Sequence, residues 1–328
     1  MAAASRPYDV LVLGEVLVEI QAGTALRAAA DGTDARISFS GDALNAAAAA
    51  AAAGARTALL AVVGDDELGG PLLRRAAELG IDVSHVHRAP RPNGAYLVGA
   101  DTEGDREFVY WRTRSAGSTL SPAHTGAWRE LLSGAGALIT SGITGALSPS
   151  AREAVLDAAR TVHAAGGHLT YDPNHRPRLT GRAGARELLG RIAPMTGLLK
   201  TSCPADALAL VDTADPRAAA ARYRALGARA VAVTCGAGHL LLDDGARVAR
   251  FPVPPNRAPV DATGAGDCFT GTATARIVLG DTLARAVAHG VAAASLSVSG
   301  RGGTGCVPAF ADTAALAATV RPGTEPGP

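Results

Sequence analysis

Cysteine is sparse, and the four present, Cys203, Cys235, Cys268 and Cys306, form no Cys-x-x-Cys pair and show no metal-ligand spacing. They read as isolated thiols. Long apolar runs are missing too. The nearest candidate, Ala46 to Ala53, is too short and too weakly hydrophobic to span a bilayer. Met1 to Arg6 lack the apolar stretch of a secretory signal. A soluble, cytoplasmic protein with no membrane partner is expected. An excess of one charge sign is also lacking: the formal net charge is +1. Without a broad basic surface, nucleic acid is not an expected partner, and any anionic ligand must be met by a few local groups. What is present is apolar material, 48% hydrophobic against 19% charged residues over 328 positions. That suffices for a real core and suits one large domain with an appendage.

Strand and helix patterns alternate along the chain. Asp9 to Leu13 is a β-branched apolar run that stops at Gly14, and it reads as a buried first strand. Asn45 to Ala53, almost pure alanine and followed by Gly54, suits a helix with a glycine stop. Thr57 to Val63 reads as a second strand and Leu68 to Leu79 as a helix. Further strands are expected at Ala137 to Thr140, His168 to Tyr171 and Ala230 to Thr234, with helices at Ala151 to Ala165 and Ala218 to Leu226. This order implies an α/β fold, a mostly parallel sheet with helices on both faces. One stretch breaks the rhythm. Gly94 to Arg112 reads as two strands around a Gly/Asp-rich turn, a hairpin suited to a separate small β-sheet lid, to which Arg36 to Phe39 adds another strand. The lid is assigned to about residues 15–40 and 92–116 of a domain covering 1–320. The Pro/Gly-rich tail, 321–328, is expected to be disordered.

The most informative string is Asp261 to Gly271, DATGAGDCFTG. Gly264, Ala265 and Gly266 are small, and an apolar stretch of helical spacing follows. A small-residue loop that opens a helix is an anion cradle, because unsatisfied N–H groups and the helix dipole both point at the ligand. Asp267 falls in the first turn. There a carboxylate can take a proton from an attacking hydroxyl while the amides hold charge on a transferred phosphoryl group. Merely capping a helix is the plainer role for an aspartate at that place. The string is not a Walker A loop, since no Gly-Lys-Ser/Thr follows, and it lacks the third glycine of a dinucleotide fingerprint.

DATGAGD resembles the C-terminal signature of the ribokinase-like (PfkB) carbohydrate kinases. Ser40 to Asn45, SGDALN, with its small-residue helix, resembles their N-terminal signature. The resemblance runs from about Asp9 to Phe310. It implies a Rossmann-like ribokinase fold, ATP with Mg2+ as phosphoryl donor, Gly264, Ala265 and Gly266 as anion hole, and Asp267 as catalytic base. It implies nucleotide contacts at Thr263 and at Thr234-Cys235-Gly236, with Gly238 one place earlier than the usual second glycine. Lys200 to Asp206 resembles the segment that places phosphate and metal in relatives. Lys200 and Ser202 are therefore carried over as ATP contacts, but the usual acidic position is Ala205, with Asp206 next to it. No residue is assigned as a metal ligand. A homodimer formed through the lids and a K+ ion near the loop are further implications.

For the acceptor, the resemblance points to Glu19, Gly41, Asp42 and Asn45. Gly41 permits close approach, and the Asp/Asn pair can serve vicinal hydroxyls. Tyr96, Tyr110-Trp111-Arg112 and Asp172-Pro173-Asn174-His175-Arg176 resemble the 2-keto-3-deoxygluconate kinases more than ribokinases or adenosine kinases. Arg112 and Arg176 supply planar forks that suit a carboxylate, which a neutral sugar does not need. Tyr96 and Tyr110 can pack the carbon skeleton, and Asp172 and Asn174 complete the expected set. A kinase for a neutral sugar such as fructose or ribose, or for a nucleoside, stays open. So does a non-catalytic sugar or nucleotide sensor with the same fold.

Overall fold

A computed structural model describes residues 6–100 and 107–324. Its centre is a nine-stranded sheet. Six parallel strands run across it in the order Thr57–Leu60, Val10–Leu13, Ala137–Ser141, His168–Asp172, Leu198–Ser202 and Val231–Cys235. These are short apolar runs because both faces are covered. Val10 and Val12 pack on one side, against the alanine helix Asp42–Ala52. Leu11 and Leu13 pack on the other, against Pro149–Ala164.

Three antiparallel strands, His239–Asp243, Val248–Pro252 and Gly323–Thr324, extend the sheet beyond Val231–Cys235. The alternation of helix and strand did not foresee them. The tail is also corrected at its start: Gly323–Thr324 pairs with Ala249 and Arg250, while 325–328 lie outside the described residues. The expected strand Thr57 to Val63 breaks at Ala61, and Val62–Gly64 turns away to pair with His87–Ala89.

The lid is a four-stranded sheet in the order Ala35–Ser40, Leu17–Ala22, Gly94–Val98, Phe108–Trp111. The hairpin of the last two is as expected, with part of its turn, 101–106, outside the described residues. Leu17–Ala22 is a central lid strand, parallel to Gly94–Val98. Register sorts the side chains. Ser38, Glu19, Tyr96 and Tyr110 align on one face, and Ile37, Ile20, Leu97 and Val109 align on the other.

Helices Asp42–Ala52 and Ala265–Val278 lie against each other on the core sheet. A Cβ on Gly271 would stand 2.1 Å from the Ala46 carbonyl, so only glycine allows this approach. The contact brings the N-termini of both helices to one place above the carboxyl edge. Among the described residues, no helix is long and apolar enough to cross a membrane.

Candidate active site

A cleft of about 1060 Å³ lies between the lid and the carboxyl edge of the parallel strands, where ligands of open α/β sheets bind. Its floor is the loop that opens helix Ala265–Val278. Gly264 caps that helix at φ 80°, a left-handed conformation that costs glycine little. It also backs tightly onto Gly303, whose Cα a Cβ at Gly264 would meet at 3.0 Å. Asp261 clamps the two loops by accepting from the Thr263 and Gly302 amides at 2.7 and 2.8 Å. Cys268 N–H bonds back to the Gly264 carbonyl at 2.8 Å. The N–H groups of Gly266 and Asp267, earlier in the turn, are left for a ligand.

Asp267 lines this cleft beside Asn45, whose Nδ2 donates to Oδ2 at 2.9 Å. Burial lifts its pKa to about 7, and the nearby Asp42 adds to the rise, while Asn45 and Lys200 oppose it. A carboxyl poised near neutrality is suited to proton transfer. Asp42 accepts from Ser141 Oγ and, at 2.9 Å, from the Ala43 amide. Burial raises its pKa as well.

Lys200 is the only lysine in the chain. It is 7% exposed, lines the cleft and sets Nζ 2.8 Å from Asp172 Oδ2. Burial alone would lower its pKa, but Asp172, Asp206 and Asp267 outweigh that and the shift is upward. A Cβ on Gly266 would fall 2.8 Å from this ammonium and crowd it. The cradle thus combines main-chain amides with one fixed cation.

Within the same cleft, the Tyr96 and Tyr110 rings lie 5.8 Å apart. The Arg112 guanidinium sits 4.3 Å over the Tyr110 ring. Arg112 is buried and donates to Glu15 Oε2 at 3.1 Å. Arg176 lines the cleft, donates to the His175 carbonyl at 3.2 Å and has no ion-pair partner among the described residues. Asn174 and Gly41 line the same space. Gly41 has φ 115°, and a Cβ there would meet the Glu15 carbonyl at 2.6 Å.

Other expected residues sit elsewhere. Glu19 is fully buried and outside the cleft lining. Its carboxylate accepts from Gln21 Nε2, Ser38 Oγ and the Gly303 amide at 3.0, 3.2 and 3.3 Å, so it ties the lid to the loop behind the cradle. Asp172 and Ala265 are also absent from the lining, and Asp172 reaches it through Lys200. Thr234, next to the end of strand Val231–Cys235, donates to the Thr201 carbonyl at 3.1 Å. Gly236 and Gly238 belong to an exposed turn, and none of these three borders the cleft. Ser202 and Thr263 do.

Asp206, which no site assignment included, lines the cleft and accepts from Ser202 Oγ at 2.6 Å and the His175 amide at 2.9 Å. It braces the loop that carries Arg176. Its position beside Ala205 was the available signal. Glu15, buried behind Arg112, was also missed. An acid directly after a buried strand and glycine was the clue there.

The profile of the pfkB family carbohydrate kinases matches residues 8–309. The chain is 35% identical over 262 residues to the 2-dehydro-3-deoxygluconokinase of Thermoproteus tenax, covering 77% of each chain. It is 28% identical over 304 residues to that of Escherichia coli K12, covering 89% of this chain and 96% of the other. A solved Escherichia coli chain described as Ribokinase II, in complex with ATP and Mg2+, superposes with a TM-score of 0.83 at 25% identity, over 94% of this chain and 98% of that one. The fold is the ribokinase fold, and the cradle with Asp267 falls within the matched span. This chain belongs to the pfkB family of carbohydrate kinases and is a sugar kinase, a phosphotransferase with an alcohol group as acceptor.

Proposed function

We propose that the protein phosphorylates the terminal hydroxyl of a sugar acid, with ATP as donor, and that 2-keto-3-deoxygluconate is the acceptor that fits it best. One observation carries the reading: Arg112 and Arg176 line the same cleft as Asp267. Two guanidinium groups in the same cleft as the base suit a carboxylate. The relatives named 2-dehydro-3-deoxygluconokinase support the same choice.

In this reading Asp267 takes the proton of the terminal hydroxyl as its oxygen bonds to phosphorus. The bond between that phosphorus and the ADP oxygen breaks. Amides of Gly264, Gly266 and Asp267, with Lys200, hold the phosphoryl charge; the Ala265 amide, expected in this set, bonds to the Ala262 carbonyl at 3.2 Å instead. Asp42 and Asn45 orient the acceptor hydroxyls, and Tyr96 and Tyr110 pack its carbons. Thr263 and Ser202 border the space left for the nucleotide, with Thr234, Gly236 and Gly238 further along the same edge. ATP supplies the phosphoryl group. Among the described residues no cluster of three His, Cys, Asp or Glu could hold a metal, so Mg2+ would enter with the nucleotide. K+ near the loop, a homodimer through the lids and a cytoplasmic location belong to the same proposal.

A neutral-sugar kinase is the second reading, and the Glu15–Arg112 pair favours it, because an arginine already neutralised has less need of a carboxylate. ADP release measured over a panel of sugars and sugar acids decides between them. Arg176→Ala is expected to raise KM for the sugar acid at least about tenfold, a loss of about 1.4 kcal/mol, and to leave a neutral sugar nearly unchanged. Equal effects on both would overturn the sugar-acid reading. Binding without turnover of any sugar would turn the conclusion toward a sensor.

A further inference from the structure

Glu15 is 2% exposed and lies behind the cleft lining, where it pairs with Arg112, which does line the cleft. The two share one hydrogen bond, from Arg112 Nη1 to Glu15 Oε2 at 3.1 Å. Glu15 Oε1, Arg112 Nε and Ser115 Oγ have no hydrogen-bond partner among the described residues. Buried polar atoms are normally paired, and three orphans around one ion pair are costly. A pair built for stability alone would use both guanidinium nitrogens and both carboxylate oxygens. The backbone closes in on Glu15 as well. A Cβ on Gly94 would lie 3.0 Å from Oε1, and one on Gly117 would lie 3.4 Å from Cγ. The carboxylate is therefore held in place, yet underused.

We propose that Glu15 is a positioning residue that compensates charge: it neutralises Arg112 in the empty cleft and takes up a proton from solvent when the substrate's carboxylate engages the guanidinium. The proposal rests on the sugar-acid reading above. Two carboxylates on one buried arginine would leave an excess negative charge in a poorly solvated site. Protonating one of them removes the excess. The charged groups facing Glu15 are Arg112, at the end of lid strand Phe108–Trp111, and Asp42, at the start of helix Asp42–Ala52. Asp42 has donors of its own in Ser141 Oγ and the Ala43 amide, with Arg176 also near, so it is the better-supplied anion. Glu15 has the single Arg112 bond, with the Ser115 hydroxyl close enough to favour its charge a little. Burial already lifts its pKa to about 7; Arg112 opposes the rise and Asp42 adds to it. A further rise on substrate binding brings proton uptake into the neutral range.

Calorimetric titration of the whole protein with 2-keto-3-deoxygluconate, in buffers of different ionisation enthalpy, tests this. The wild type is expected to take up a substantial fraction of a proton at pH 7.5, and its Kd is expected to weaken by up to about tenfold between pH 7 and 8. Glu15→Gln keeps the shape and an acceptor for Arg112, so it should bind the acid with no uptake and a nearly flat Kd. Glu15→Asp, which retains an ionisable group, should restore a pH dependence with a moved midpoint. Wild-type uptake and slope in Glu15→Gln would overturn the proposal. So would an unmoved midpoint in Glu15→Asp, the measurement that decides if the glutamine variant does not fold. Turnover of the sugar acid alongside such a result sinks this proposal alone. Failure to bind any sugar acid sinks the substrate reading and this proposal with it.

Discussion

Asp267 is the residue on which the chemistry turns, and its environment gives two opposed consequences. Replacing it with Asn keeps the size and the contact with Asn45 but removes the base. Turnover with ATP should fall on the order of 10²–10⁴-fold, read by ADP release at saturating substrates. In the wild type, kcat should climb as pH passes about 7, because the base acts only when deprotonated. Stability moves the other way. The unfolded chain gives up this proton near pH ~4, whereas the folded chain keeps it to about 7, so folding loses stability as pH rises through that window. Asp267→Asn removes that contribution. Its thermal midpoint should exceed that of the wild type at pH 8 and match it near pH 4. A lower midpoint at pH 8 would contradict the assigned burial cost. Asp267 was legible from sequence because everything that defines it is local: small residues, a helix start and an acid in the first turn. Glu15 and Arg112 are 97 positions apart, and no local rule pairs them. Glu19 misled for a related reason: an acid near the first strand suggests a ligand contact, but the register of the lid turns it toward Gly303.

The alanine-rich helix Asp42–Ala52 and helix Ala265–Val278 act as one element pair. Small side chains let their backbones meet, and this sets Asn45 against Asp267. Gly271→Ala tests that arrangement. Alanine is the better helix former by about 1 kcal/mol. The clash with the Ala46 carbonyl at 2.1 Å is expected to outweigh that gain, with a net loss of about 1–3 kcal/mol in urea denaturation. Turnover should fall as well, since parting the helices parts Asn45 from Asp267. Unchanged or raised stability would show that the approach is not limiting. Both helices were readable from composition and from their glycine punctuation. The reason for so much alanine was not, since it depends on which helix lies opposite. The antiparallel edge was missed because His239–Asp243 and Val248–Pro252 are short strands joined by turns, without the helices that marked the other strands.

At the scale of the molecule, the lid has two unlike faces. One turns Tyr96 and Tyr110 toward the cleft. The other carries the row Ile37, Ile20, Leu97 and Val109, in which Ile37 is 58% and Val109 40% exposed. Exposed apolar rows on a sheet favour a partner surface. Sedimentation velocity should give the mass of a dimer, and Ile37→Glu should sediment as a monomer with weakened turnover. A monomeric wild type would refute the proposed pairing through the lids. The fold class, five of the six parallel strands and the lid hairpin could be read from period and punctuation; the strand Leu198–Ser202 and the order across the sheet could not. The cleft could not, because it exists only once the lid strands register over the sheet edge. The solitary lysine gives the whole chain a further property. Amine-directed acylation has a single side-chain target here, buried in the cleft and already gripped by Asp172. The speed of that labelling becomes a gauge of how often the active site gapes, and bound nucleotide or sugar should slow it.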